Sequence, residues 1–140
     1  MLYPAAFEHN ASTGCYIVTF RDIPEALTQG YSLEEAREEA KDALITAMEF
    51  YFEDERVVPL PSIPLEGEEL IELPISVWAK VLLLNSMLEL NISQSELGRR
   101  LHKSRQEVQR ITNLGHNTKI DTIADAFKAL GKKTSFSVFN

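Results

Sequence analysis

The first half of the chain is built from short apolar runs with turn residues between them. CYIVTF, residues 15 to 20, is rich in β-branched and aromatic side chains and predicts a strand. The segment before it, LYPAAFEHN, contains Pro4 and predicts an edge strand, joined to the next strand by the turn-forming NASTG segment. A short third strand is predicted around Ala26 to Gln29, and LIEL, residues 70 to 73, alternates like a last strand.

Between the third and fourth strands the pattern changes to helical spacing. The sequence S-L-E-E from Ser32 to Glu35 is a capping box, which marks a helix start. The apolar residues that follow recur every three or four positions, and the helix is predicted to run to about Glu53. Residues 57 to 69 then hold three prolines in eight positions, so this segment is predicted to be an extended connector.

The second half is helical by the same criteria. ISVWAKVLLLNSMLELN is apolar on most sides and predicts a largely buried helix. Ser93 and Ser104 each open a capping box, which predicts two short helices around a tight turn near His102–Lys103. A further helix from Lys119 to Leu130 ends at Gly131, with an apolar face made by Ile120, Ile123, Ala124, Phe127 and Leu130. The final TSFSVF alternates like a strand.

Charge divides the chain at the same place. The formal net charge is −7, but residues 1–73 carry 4 Lys+Arg against 16 Asp+Glu, whereas residues 74–140 carry 10 against 5. Such asymmetry predicts two domains with different partners. We therefore expect an α+β protein, with a ββ(β)αβ domain over residues 1–74 and an all-α domain over residues 75–140.

The two short helices predict a helix-turn-helix that binds DNA. Leu97, Leu101, Val108 and Ile111 are the expected buried positions, and Gly98 lies where a small residue lets the helices approach closely. Arg and Gln make bidentate contacts to guanine and adenine edges, and they lie at the start of the second helix, where a recognition helix reads bases. The predicted DNA-binding residues are Gln94, Arg99, Ser104, Arg105, Gln106, Gln109, Arg110 and Lys119. Gln94, Arg99 and Lys119 are expected to hold phosphates.

This half resembles the Xre/Cro-type helix-turn-helix domains. The matching segments are SQSELGRRL, SRQEVQRI and IDTIADAFKALG. Two positions depart from that pattern: Gly98 stands where alanine is more common, and His102 stands at the turn, where glycine is common. A residue other than glycine can adopt the left-handed conformation at some energetic cost, so the assignment holds.

The first half resembles the HicB-type antitoxins through FRDIPEALTQGYSLEEAREEAKDAL, with an aromatic strand end, Asp-x-Pro, a T-Q-G turn and the S-L-E-E-A helix start. The resemblance implies a partial RNase H-like fold that blocks a HicA-type mRNA-cleaving toxin, and a C-terminal domain that binds the operon's own promoter. The toxin contacts are expected in the motif region, at Tyr16, Phe20, Asp22 and Glu25. A homodimer or higher oligomer is expected, with the TSFSV strand and the helix at 75–90 as candidate dimer surfaces.

Other functions find little support in the sequence. RNase H-like catalysis needs several carboxylates around divalent metal ions, and Asp22 is the only acid of the hairpin segment with a motif context, so no catalytic residue is expected. The three histidines show no ligand spacing, and we predict no metal site and no cofactor. One cysteine, no signal peptide and no apolar run of membrane length predict a soluble cytoplasmic protein. A ligand-sensing repressor without a toxin partner and a residual nuclease remain as alternatives.

Overall fold

Four antiparallel strands and one long helix form the N-terminal part of the chain. The computed structural model describes residues 1–140, which fold as two units, Met1–Ile75 and Ser76–Asn140. In the first unit, β1 (Leu2–His9), β2 (Tyr16–Thr19) and β3 (Leu27–Gly30) precede α1 (Leu33–Glu53), and β4 (Glu69–Glu72) follows it. The sheet order is β3-β2-β1-β4. The α+β class with the strand and helix order ββ(β)αβ is confirmed.

The predicted position of β1 at a sheet edge is wrong, because β1 lies between β2 and β4. Its first half, Leu2 to Ala5, pairs with β4, and its second half, Ala6 to His9, pairs with β2. Pro4 therefore lies in the half where only β4 is a neighbour, which leaves its missing N–H without consequence for the β2 ladder. Pro4 therefore indicates a part of β1 that has a neighbour on one side only, and not a strand at the edge of the sheet.

Helix α1 packs against the sheet through its apolar stripe. Ser32 caps the helix by accepting from the amide of Glu35 at 3.1 Å, as the capping box predicted. Ala36, Ala40 and Leu44 are fully buried against the strands. Gly30 at the end of β3 lies so close to the first turn of α1 that a Cβ there would come within 2.5 Å of the Ala36 nitrogen. The small residue of the T-Q-G turn therefore permits close contact between β3 and α1.

The second unit consists of helices around one apolar core. Helix α2 (Ile75–Glu89) is followed by α3 (Gln94–Leu101), α4 (Arg105–Thr112) and α5 (Ile120–Ala129). α3 packs against both α4 and α5. The helices fall where the sequence places them, and the buried side chains include Val81, Leu83, Leu97, Val108, Ile111, Ile123 and Phe127.

Three expectations about this unit need correction. Ile120 is 55% exposed, because it stands at the first position of α5 before the helix meets the core. Leu101 is only half-buried at the end of α3. Residues 134–139 form no strand in the single chain, since no neighbouring strand offers hydrogen bonds, and Phe136, Val138 and Phe139 are exposed.

No individual helix has the length and apolar character needed to cross a membrane. Only the pair α2 and α3, bent by 107° between them, reaches that length and composition together.

Candidate nucleic-acid interface and the acidic unit

Two capped helices and a left-handed turn set the geometry of the candidate interface. Ser93 accepts from the Glu96 amide at 3.1 Å and Ser104 from the Glu107 amide at 3.2 Å, so each serine satisfies an otherwise free N–H at a helix start. Between the helices, His102 has φ 55° and ψ 44°, the left-handed region that ends α3. The Lys103 amide then donates to the Gly98 carbonyl at 3.0 Å, which closes the turn.

Gly98 allows α3 and α4 to lie close together. A Cβ at this position would be 3.2 Å from the Val108 Cγ2 atom and 3.3 Å from the Lys103 carbonyl. A larger residue would push α4 outward by a few tenths of an ångström. The packing role predicted for Gly98 is therefore found, and it explains why α3 tolerates a residue of low helix propensity.

A polar groove of about 600 Å³ runs between α3 and α4. It brings together four of the predicted residues, Gln94, Arg99, Arg105 and Gln109. Ser95 and Lys103 also line it, although they are not among the predicted residues. Both could have been predicted from their positions, because Ser95 lies in the first turn of α3 and Lys103 in the turn before α4.

The remaining predicted residues lie outside this groove. Gln106 is exposed on α4, next to Arg105. Arg110 and Lys119 line a second depression of about 210 Å³ on the other side of α4, together with His116, Asn117 and Thr118. The Ser104 hydroxyl group is engaged with Glu107, from whose amide it accepts and to whose carboxylate it donates at 3.2 Å, so its first role is to start α4.

The neighbouring arginines of α3 differ in how firmly they are held. Both donate to the carboxylate of Glu96, and hydrogen bonds from Arg99 and then from Arg100 hold the pKa of that carboxyl below its usual value. Arg100 also donates to the Ala129 carbonyl on α5 at 3.0 Å, whereas the Arg99 side chain is 74% exposed. Arg99 is therefore the freer cation, in agreement with its predicted role as a phosphate contact.

A buried lysine holds the end of α4. Lys80 on α2 is fully buried, and its ammonium group donates to the carbonyls of Arg110 at 3.0 Å, Asn113 at 2.8 Å and His116. Burial lowers the pKa of Lys80 from 10.5 to about 8, so the group is still mostly charged at pH 7. In the sequence, Lys80 is visible only as a break in an apolar run. A single lysine within a buried apolar helix needs hydrogen-bond acceptors for its ammonium group, so its position in the run could have indicated such contacts.

In the acidic unit the four predicted partner contacts have different surroundings. Tyr16 is half-buried on β2, with its ring 4.7 Å from the ring of His9. Glu25 is exposed and accepts from the Tyr51 hydroxyl group at 2.8 Å and from Arg56 at 3.2 Å, and these bonds hold its pKa down, that from Tyr51 most strongly. Phe20 is only 2% exposed, so this aromatic residue belongs to the core. The expectation that Phe20 contacts the toxin is therefore corrected.

Asp22 and its neighbour Arg21 fix the connector. Asp22 accepts from the backbone amide of Ser62 at 2.8 Å and from the Ser62 hydroxyl group. Arg21 binds Glu68 through two nitrogens at 3.0 to 3.1 Å and donates to the Ile63 carbonyl at 2.6 Å. Sequence reasoning missed this role of Arg21, because the partners lie more than 40 positions away along the chain.

Nowhere in the 140 residues do three or more His, Cys, Asp or Glu side chains come together in a group able to hold a metal ion. The single cysteine, Cys15, is buried and forms no disulfide.

Two family models match the sequence. A model described as the HicB-like antitoxin of bacterial toxin–antitoxin systems matches residues 2–82, and a helix-turn-helix model matches residues 85–136.

Curated relatives are similar over nearly the whole chain. Antitoxin HicB of Escherichia coli (strain K12) is 53% identical over 135 residues, which cover 96% of this chain and 97% of that protein. Antitoxin HicB 2 of Photorhabdus laumondii subsp. laumondii is 56% identical over 132 residues, 94% of this chain and 92% of that protein. Antitoxin HicB of Pseudomonas fluorescens (strain Pf0-1) is 34% identical over 139 residues, 99% and 95% of the two chains.

These matches agree with the two resemblances found in the sequence, and the family and the helix-turn-helix are those of a non-enzymatic, DNA-binding regulator. The chain belongs to the HicB-like antitoxins of bacterial toxin–antitoxin systems and carries a C-terminal helix-turn-helix domain.

Proposed function

We propose that the chain neutralises a HicA-type mRNA-cleaving toxin through residues 1–74 and represses its own operon by binding promoter DNA through residues 75–140. The observation that carries this division is the opposite charge of the two units, with the excess of basic residues located in the helical one. An acidic unit repels nucleic acid and attracts a basic protein, whereas a basic unit attracts nucleic acid and repels a basic protein.

The toxin side of the proposal rests on charge and exposure. A ribonuclease must attract RNA and is therefore usually basic, and a unit with 16 acids against 4 Lys+Arg offers it a complementary surface and steered association. Of the contacts expected in the motif region, Tyr16 and Glu25 are accessible. Asp22 contributes by holding the connector. The order β3-β2-β1-β4 with a helix after β3 supports the partial RNase H-like description.

The DNA side rests on the groove between α3 and α4. Arg105, Gln106 and Gln109 are exposed on the first turns of α4, and we assign them to base edges in the major groove. Gln94 and Arg99 on α3 are assigned to phosphates on one side of α4, and Lys119 on the other. Lys103 joins the phosphate contacts because it lines both depressions. Arg110 is placed to reach either bases or phosphates.

Helix-turn-helix proteins generally use two half-sites, so we propose that the chain acts as a dimer or higher oligomer. More than half of the residues of α2 are buried, which weakens its case as a dimer surface. The C-terminal residues Phe136, Val138 and Phe139 are 63%, 83% and 87% exposed in the single chain. An alternating apolar segment with no strand neighbour is suited to pair with the same segment of a second copy.

Co-expression tests the proposal. The chain is produced together with the small basic protein encoded by the neighbouring reading frame, and growth, co-purification and binding to the upstream promoter are measured. We expect relief of toxicity, a stable complex and specific promoter binding. Promoter binding without any toxic or complex-forming neighbour would refute the antitoxin assignment and favour a repressor that acts alone.

A further inference from the structure

The connector between α1 and β4 exposes three large aliphatic side chains. Leu60 is 61% exposed, Ile63 87% and Leu65 62%. Single exposed apolar residues are common on protein surfaces, but three within six positions concentrate exposed apolar surface in one short segment, as interaction sites do. We call these three side chains the connector patch.

The backbone beneath the patch is held by polar anchors. The Tyr3 hydroxyl group donates to the Pro59 carbonyl at 2.7 Å, and the Leu65 amide donates to Glu68 at 2.6 Å. Asp22 and Arg21 hold Ser62 and Ile63, as described above, and Val58 is buried at the start of the segment. A segment fixed in this way loses little conformational entropy when a partner binds, so the exposed side chains are preorganised for contact.

The surroundings of the patch are acidic. Residues 53–72 contain seven Asp and Glu residues and one basic residue, Arg56. Arg21 and Arg37 from other elements pair with Glu68 and Glu69, and the remaining acids keep the segment net negative. An apolar centre with a charged rim is the usual arrangement of a protein interface, and the negative rim selects a partner of positive charge. The prolines at positions 59, 61 and 64 also keep the segment out of regular strand pairing, so its side chains remain available.

We propose that the connector patch is the apolar centre of the surface that binds the toxin, whose matching face is basic with an apolar depression. This inference rests on the proposed function. It places the main contact at Leu60, Ile63 and Leu65, and gives Asp22 and Arg21 the task of positioning these residues.

The test uses the full-length chain and the purified neighbouring toxin. The variant Leu60→Ser/Ile63→Ser/Leu65→Ser is expected to bind the toxin at least 100-fold more weakly, with promoter affinity unchanged. The matched control is Leu27→Ser/Tyr31→Ser near the β3 edge, where the side chains are 64% and 70% exposed, and toxin affinity is expected to stay within threefold of the wild type. Ile63→Lys alone, at a site too exposed to matter for folding, is expected to cost at least tenfold through charge repulsion.

Each outcome separates the inference from the proposed function. If the wild type binds no toxin, the proposed function fails. If the wild type binds and both patch variants bind equally well, the inference is wrong while the antitoxin assignment stands. Loss of binding in the β3-edge control alone would place the toxin there. A change of oligomeric state by light scattering with unchanged toxin affinity would show that the patch contacts a second copy, which also overturns the inference.

Discussion

The ammonium group of Lys80 donates to the backbone carbonyl of Asn113 at 2.8 Å, and so ties α2 to the residue that ends α4. The same group reaches the carbonyls of Arg110 and His116. The three acceptors belong to the last turn of the proposed recognition helix and to the loop that leads to Lys119. A single buried cation thereby fixes the end of α4 and the loop that leads from it to Lys119.

Replacement of Lys80 by methionine is predicted to reduce both stability and promoter affinity. Buried carbonyls that lose their donor cost about 1–3 kcal/mol in the free energy of unfolding, and the end of α4 loses its anchor. Urea unfolding and fluorescence anisotropy with promoter DNA measure the two effects. Val81→Ala, a neighbouring core change without polar contacts, is the control. It is expected to lower stability but to preserve promoter affinity under folding conditions. Equal affinities of the two variants would contradict the anchoring role.

Substitution of the proposed base readers is predicted to relax sequence preference. Arg105→Ala or Gln106→Ala should each lose about 1–3 kcal/mol of binding free energy at the promoter and reduce discrimination at one base pair. Lys133→Ala removes a charge outside the groove and serves as the control. Competition binding with promoter sequences that carry single base changes measures both effects. The recognition-helix assignment is wrong if Arg105, Gln106 and Gln109 can all become alanine without change in promoter affinity.

Removal of Arg99 is predicted to weaken binding to all DNA sequences equally. A phosphate contact carries no sequence information, but its loss reduces the slope of log affinity against log salt by about one. Titrations of specific and random duplexes at several salt concentrations provide the measurement. Arg37→Ala, which removes an arginine paired with Glu69 in the acidic unit, is the charge-matched control. A loss confined to the specific duplex would show that Arg99 reads bases.

Low pH is predicted to break the hydrogen bonds that Glu68 accepts from Arg21 and from the Leu65 amide in the connector. Hydrogen bonds from Arg21, and then from the Leu65 amide, hold the pKa of Glu68 below its ordinary value of 4.5. Because the folded-state pKa is the lower one, this stabilisation is present above pH 4.5 and disappears as the pH falls through the folded-state pKa. Hydrogen exchange of the Leu65 amide should lose protection only as the pH falls below 4.5, whereas Glu68→Gln should lack this protection already at pH 6. The Ala36 amide in α1 is the internal control, and constant protection at Leu65 would contradict the anchor.

The local signals of the sequence predicted the fold well. Ser32, Ser93 and Ser104 each cap a helix as expected, and the turn at His102 adopts the left-handed conformation. Capping boxes and turns depend on residues within a few positions of one another, so they can be interpreted without the tertiary structure.

Contacts between residues that are distant along the chain could not be predicted from the sequence in the same way. The position of β1 in the sheet depends on its pairing with β4, which lies more than 60 residues later. Phe20 lies in the core, although it directly follows a short strand. The contacts of Lys80 and Arg21 join residues 30 to 47 positions apart. The sequence therefore predicted four of the side chains that line the groove between α3 and α4, because their placement depends on helix phase alone. It did not reveal the residues that hold these helices in place.

The division of labour between the two units is tested most directly with a chain that ends at Pro74. We predict that residues 1–74 bind the neighbouring toxin with an affinity close to that of the full chain and show no affinity for promoter DNA. Calorimetry with the toxin and anisotropy with the promoter provide the two measurements, after circular dichroism has verified that the fragment is folded. A folded fragment that fails to bind the toxin, or one that binds the promoter, would contradict this division between the two units.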